Sequence, residues 1–231
     1  RHLIAALRLE DEAGGEPETG EDRTYEFQFL LFDLDTNRVP SAVAIANVRS
    51  IGQIKFMSRG GRVIGVSDDG LVFSVRVMRS QDGTLRWIPS SVVSWDAEHG
   101  KVNDFVCLPE SNSVATVGED GSCAIWDWLP IDGSPREGFS GSTESRPPVL
   151  SHRVMVSSGP ATRITSSASG DRVITLGSDR VIRVWDTRSG LELVSLPTRM
   201  NDLADVAMSP DERYLLIVER GGLADIVRID P

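Results

Sequence analysis

The chain has 231 residues, 40% of them hydrophobic and 25% charged, which suits a folded globular protein rather than a disordered one. Its formal charge of -10 repels phosphate backbones and disfavours general nucleic-acid binding. No apolar run approaches the roughly 20 residues of a membrane-spanning helix, and no charged-then-apolar leader follows Arg1, so neither a transmembrane segment nor a signal peptide is expected.

In chain order, the first apolar strand is Leu3 to Leu9. The stretch Glu10 to Asp22 follows, with seven acidic residues and no basic one, and reads as a solvated acidic loop or a docking loop for a basic partner. Phe27 to Asp33 is a second strand. Phe56 to Val66, Val106 to Val117, Thr165 to Leu176 and Ala207 to Ile217 each read as strand, polar turn, strand. After each pair comes another turn and a further strand: Asp69-Gly70 before Leu71 to Val77, Asp120-Gly121 before Trp126, Asp179-Arg180 before Trp185, and Gly221-Gly222 before Asp230. Leu129 to Pro148 is rich in Gly, Ser and Pro and reads as a flexible loop. Leu191 to Leu196 is a fourth strand behind the turn Thr187 to Gly190. Helices are a poor fit, because the runs are short, rich in Val and Ile, and broken too often.

These elements repeat. Val114 to Trp128, VATVGEDGSCAIWDW, lies over Val173 to Thr187, VITLGSDRVIRVWDT, and in both the turn aspartate precedes the tryptophan by six residues. Ile64 to Val77 and the stretches ending at Asp33 and Asp230 are weaker copies. The unit length is of the order of the about 40–45 residues of a four-stranded propeller blade.

On these residues the chain resembles the WD-repeat family of β-propellers, over nearly its whole length. The resemblance implies an all-β propeller of four-stranded antiparallel blades. It is read as a partial ring of about five blades, incomplete at both ends, with units near 1–47, 48–98, 99–156, 157–198 and 199–231. The missing Met and the two truncated units lead to the expectation of a segment of a longer protein; a small closed five-bladed ring is the alternative. The family's blades carry a polar network of a His before the first strand, a Ser or Thr, a turn Asp and a third-strand Trp. Here those residues are His99, Thr116, Asp120 and Trp126, with Asp127 beside the Trp. The next unit has Thr175, Asp179, Trp185 and Asp186 but no His; Ser157-Ser158-Gly159 stands there instead. The unit before has Asp69, with Gly65 at the hydroxyl position and Val75 at the Trp position. All are read as structural, since a buried indole N–H needs a partner and a satisfied network fixes blade stacking.

The function expected is a non-catalytic interaction scaffold or regulatory module with a protein partner. Candidate contacts are the residues beside the turns, Lys101, Asn103, Glu119, Arg163 and Arg180. The alternative is a propeller enzyme, a hydrolase or lyase, with its site at the central channel. No catalytic residue, metal ligand, cofactor or small-molecule substrate is evident: His2, His99 and His152 lack metal-ligand spacing, and no phosphate-cradling loop or Gly-x-Ser-x-Gly elbow occurs. A local nucleic-acid patch would draw on Arg59, Arg62, Arg76 and Arg79. Cys107 and Cys123 lie two strands apart, too far for a disulfide, and are expected to pack as small apolar groups in an intracellular, reducing setting.

Overall fold

Short Val- and Ile-rich runs, each ended by Gly, Pro, Asp or Ser, favour strands joined by turns. The computed structural model describes residues 2–9, 25–33, 41–48, 50–57, 61–67, 69–81, 85–109, 111–128, 146–198 and 203–229, and among these only strands and turns occur. The acidic stretch 10–22 and residues 129–145 of the Gly/Ser/Pro loop lie outside the described residues.

The strands form five antiparallel meanders. The first sheet is β1 (His2–Leu9), β2 (Tyr25–Asp33) and β3 (Ser41–Val48). The second is β4 (Gln53–Met57), β5 (Arg62–Val66), β6 (Leu71–Arg79) and β7 (Leu85–Asp96). The third is β8 (Val102–Cys107), β9 (Ser113–Gly118), β10 (Ser122–Asp127) and β11 (Val149–Met155). The fourth is β12 (Ala161–Ser166), β13 (Arg172–Gly177), β14 (Val181–Asp186) and β15 (Glu192–Pro197). The fifth is β16 (Leu203–Met208), β17 (Tyr214–Glu219) and β18 (Ala224–Arg228). Neighbouring sheets pack on one another without sharing a ladder, and among the described residues the first and fifth sheets show no such packing, so no closed ring is seen. No helix long and apolar enough to cross a membrane occurs among them either.

The sheets stack face to face about an axis. β4, β8, β12 and β16 contact one another in turn and are the innermost strands. The core is four clusters, each between two neighbouring sheets: Phe29 with Phe73, Ile64 with Phe105, Val117 with Ile164, and Ile174 with Leu215 mark them. Burial follows from this stacking. Every residue of β9 is buried, because both faces of that strand are covered. β17 instead alternates: Leu215 and Ile217 are buried, whereas Tyr214 and Leu216 are 40% and 42% exposed, because the fifth sheet is covered on one side.

Two irregularities recur from sheet to sheet. The innermost pair slips register at Val102/Asp104, Ala161/Arg163 and Leu203/Asp205. The outer pair slips at Ile125/Trp126 and Val184/Trp185. Bulges of this kind bend a strand and re-aim its side chains. The first set turns Asn103 and Thr162 at the ends of the innermost strands; the second sits beside each indole.

One sequence-based expectation is corrected. Arg62 is not part of a surface basic patch: it is only 4% exposed, donates from Nη1 to Ser74 Oγ at 3.3 Å, and stacks over the Trp128 ring at 4.8 Å. A guanidinium is weakly hydrated and planar, so an indole face and a hydroxyl can hold it inside.

Candidate functional site

The third sheet carries a hydrogen-bonded chain from core to surface. Trp126 Nε1 donates to Thr116 Oγ1 at 3.1 Å. Thr116 Oγ1 lies 2.9 Å from His99 Nε2, and His99 Nδ1 lies 2.9 Å from Asp120 Oδ1. One neutral-imidazole arrangement satisfies all four groups: indole N–H to threonine oxygen, threonine O–H to Nε2, and Nδ1–H to the carboxylate. Burial lowers the His99 pKa and outweighs the raising effect of the Asp120 hydrogen bond. Burial raises the Asp120 pKa, but hydrogen bonds from the Ser122 hydroxyl and backbone N–H and from His99 prevail, so the carboxyl is held below its ordinary range. Ser122, whose Oγ donates to Asp120 Oδ2 at 2.6 Å, is a member that the sequence reading did not single out. An Asp followed two residues later by Ser was its only signal.

The fourth sheet keeps half of this chain. Trp185 Nε1 donates to Thr175 Oγ1 at 2.9 Å. The histidine position is held by Ser157, 5% exposed. Asp179 takes another partner: Arg183 Nη2 lies 2.9 Å from Asp179 Oδ2, and Arg183 Nη1 donates to Val156 O at 2.6 Å. Arg183 occupies the β14 position that Ala124 occupies in β10. In the second sheet, Phe73 holds the corresponding place, and its ring fills the space beside Gly65; a Cβ added at Gly65 would lie 2.0 Å from it. Asp69 is exposed in its turn. The three sheets thus plug the same gap with an imidazole, a guanidinium and a phenyl ring.

Asp127 and Asp186 lie outside these networks. Asp186 closes the turn at the opposite end of β14, accepting from Ser189 N and Oγ and from Arg188 N. Asp127 lines a cavity of about 240 Å³ on that opposite face, between the third and fourth sheets. Arg153, in β11, is a tie that the sequence did not reveal. It donates to Ala97 O at 2.8 Å and Glu98 O at 3.2 Å and pairs with Asp120 at 3.3 Å, binding the β7–β8 connection to the β9–β10 turn. Cys107 and Cys123 are free thiols, each pushed up to about 12 by burial, and act as apolar packing.

The candidate contact residues converge. Lys101, Asn103, Glu119 and Arg163 line a single open basin of about 460 Å³, joined there by Arg220 and Thr162. It lies on the face of the Asp turns, at the ends of the innermost strands, and four sheets contribute to it. Lys101 O accepts from Glu119 N at 3.1 Å, and Asn103 Nδ2 donates across to Ala161 O at 2.9 Å, so the rim is braced from sheet to sheet. Arg180 does not line it. Arg180 stands in the β13–β14 turn with φ 61°, in the place where the β9–β10 turn has Gly121. Within the inner ring, Asp104 is 6% exposed and fully engaged: it accepts from Phe105 N and Ile164 N and pairs with Lys55 at 3.3 Å.

Repeated four-stranded sheets about an axis, with indoles tied to threonines between them, define a β-propeller. Residues 90–127 match the family model described as WD domain, G-beta repeat. Among solved structures, the chain is similar to Sqt1 from Chaetomium thermophilum: TM-score 0.70 at 18% identity, covering 99% of this chain and 54% of that one. It is similar, at TM-score 0.70 and 21% identity, to Sqt1 bound to the N-terminus of the ribosomal protein L10, covering 98% of this chain and 57% of that one. It is also similar to the C-terminal WD40 domain of Sif2, at TM-score 0.62 and 13% identity, covering 89% and 55%. No curated protein matches. Residues 90–127 thus match the WD-repeat family, and the chain shares the propeller fold of these structures. It spans about half the length of the solved structures it matches.

Proposed function

We propose that this chain is a non-catalytic protein-interaction module that meets its partner on the face of the Asp turns. One observation carries the reading: Lys101, Asn103 and Glu119 of the third sheet and Arg163 of the fourth surround one basin at the mouth of the inner ring. Rigid sheets hold the rim, and Lys101 and Glu119, both exposed, line a cavity of about 460 Å³, within the usual ligand range of about 300–1,000 Å³. That a similar propeller, Sqt1, is seen bound to the N-terminus of a ribosomal protein supports a peptide segment as the form of ligand. The buried carboxylate of the inner ring, Asp104, is occupied by two backbone N–H groups and Lys55, which supports a bracing role for it rather than acid–base work.

The test compares two double variants of equal thermal stability: Lys101→Ala with Arg163→Ala on the turn face, and Asp171→Ala with Arg188→Ala on the opposite face. Partner recovered by affinity isolation from the native source should be lost with the first pair and kept with the second. The reverse result would sink the reading.

A further inference from the structure

Two aspartates hold the same place in successive sheets and are used differently. Asp186, at the end of β14, closes its turn by accepting from Ser189 N and Oγ and from Arg188 N. Asp127, at the end of β10, meets no hydrogen-bond or ion-pair partner among the described residues. It lines instead the cavity of about 240 Å³ between the third and fourth sheets.

Two hydroxyls beside it are also uncommitted. Ser113 sits directly opposite Asp127 in the β9–β10 ladder, so the two side chains share a face. Ser113 is only 7% exposed and lines the same cavity, yet its hydroxyl has no partner among the described residues. Leaving such a group unbonded carries a free-energy penalty that a ligand accepting or donating there would remove. Ser151 is the extra residue where β11 slips register against Ile125 and Trp126, and its hydroxyl, likewise unpartnered among the described residues, lines the cavity too.

The far wall is already engaged. Arg188 pairs with Asp171 at 3.1 Å, Thr187 Oγ1 donates to Gly170 O at 3.0 Å, and Ser169 Oγ donates to Glu212 at 2.7 Å. Glu212 in turn pairs with Arg172 at 3.7 Å. With Asp171 and Arg188 balancing each other, the described lining carries one uncompensated negative charge, that of Asp127. Leu108, Pro109 and Ile125 supply an apolar floor.

We propose that this cavity binds a primary ammonium group on an alkyl chain, the chemistry of a lysine side chain. The site lies on the face opposite the turn-face basin and goes beyond the reading of that basin. An ammonium carries three donors and no acceptor, and Asp127, Ser113 and Ser151 offer oxygens from three adjacent strands. The apolar floor covers the methylenes behind the charge. A guanidinium spreads its five donors in one plane, which suits acceptors on separate strands less well. A divalent cation asks for about six to eight oxygens, and among the described residues no three His, Cys, Asp or Glu side chains gather to hold one. The volume falls below the about 300–1,000 Å³ usual for a small-molecule pocket and fits one inserted chain. The formal charge of -10 on the whole chain favours the approach of a cation.

The experiment follows amide chemical shifts of the isotope-labelled full chain during titration with an Ac-Gly-Lys-Gly-NH2 peptide. Matched peptides carry acetyl-lysine, norleucine or arginine in place of the lysine, and n-butylamine is titrated separately. The lysine peptide should move the amides of Ser113, Asp127 and Gly170 saturably, and the acetyl-lysine and norleucine peptides should not. Asp127→Asn should weaken binding at least about tenfold, the order expected for loss of a hydrogen bond to a charged group. Ser113→Ala, which removes a single neutral acceptor, should weaken it about threefold to tenfold. Lys101→Ala and Arg163→Ala, on the turn face, should leave it unchanged. Support comes in two forms: n-butylamine binding as tightly as the peptide assigns the site to free alkylamines, and a tighter peptide assigns it to a lysine within a protein segment. Equal binding of the acetyl-lysine or arginine peptide, unchanged affinity in both Asp127→Asn and Ser113→Ala, or no saturable shift with either amine would overturn the proposal.

Discussion

Arg183 does for Asp179 what His99 does for Asp120: its guanidinium lies 2.9 Å from the turn carboxylate and also reaches the carbonyl of Val156 at 2.6 Å. The pair is well shielded, with side-chain exposures of 18% and 13%. Asp179 in turn caps its own turn by accepting from Val181 N at 3.1 Å.

Removing Arg183 therefore takes away the guanidinium that faces the shielded Asp179 carboxylate, whereas removing Asp179 leaves Arg183 its longer pair with Glu192 at 3.6 Å. Arg183→Met is expected to cost about 2–4 kcal/mol and Asp179→Asn about 1–3 kcal/mol. The double variant should cost clearly less than their sum. Urea unfolding of the four proteins checks this, and strict additivity would show that the two groups are not coupled.

The neutral His99 makes stability depend on pH. Its folded-state pKa is lowered from 6.5 by burial, so the unfolded chain binds the extra proton first as pH falls. The contribution is complete above about 6.5 and is lost progressively on acidification below it. Asp120, also lowered, adds a loss at more acid pH, below its ordinary value of 3.8. Wild type should lose more stability than His99→Gln between about pH 7.5 and 5.5. Parallel curves for the two proteins would mean that His99 titrates as it does in water.

Trp185 is 7% exposed and its indole N–H is satisfied by Thr175. Trp185→Ala should cost about 3–5 kcal/mol, through the emptied volume between the third and fourth sheets. Thr175→Val keeps the volume but orphans the indole, and should cost about 1–3 kcal/mol. Thermal and urea unfolding measure both. A Trp185→Ala protein of unchanged stability that had merely lost binding would contradict a structural role.

Gly118 faces His99 at very close range. A Cβ there would lie 2.3 Å from His99 Cβ and 2.5 Å from Lys101 O, and neither a backbone oxygen nor a buried imidazole can step aside cheaply. Gly118→Ala should cost about 1–3 kcal/mol and shift the chemical shifts of His99 and Lys101 together. A silent substitution would show that the β7–β8 connection is looser than its packing implies.

The Thr–Trp pairs were legible in the sequence because the interval between a second-strand hydroxyl and a third-strand indole is set by one hairpin. His99 was legible through resemblance, since it lies outside that hairpin. Arg183 and Arg153 were not. An arginine in a strand reads as a solvent-facing residue unless the neighbouring sheet is known, and both are aimed at carbonyls of the connection before their own sheet or turn. Arg62 misled for the same reason: Trp128, which covers it, belongs to the next sheet.

What the sequence alone determined was the repeat: the alternation that makes strands, the Gly, Asp and Ser turns that end them, and the Trp–Asp spacing that marks the third strand. These are local properties, governed by residues within one hairpin of each other. Only the tertiary structure decided which side chain plugs the gap behind each turn, because the plug is chosen by the space between two sheets. It alone gathered Lys101, Asn103, Glu119, Arg163 and Arg220 around one basin, because the stacking angle of four sheets and the bulges at the ends of β8 and β12 bring together residues that are distant in the chain.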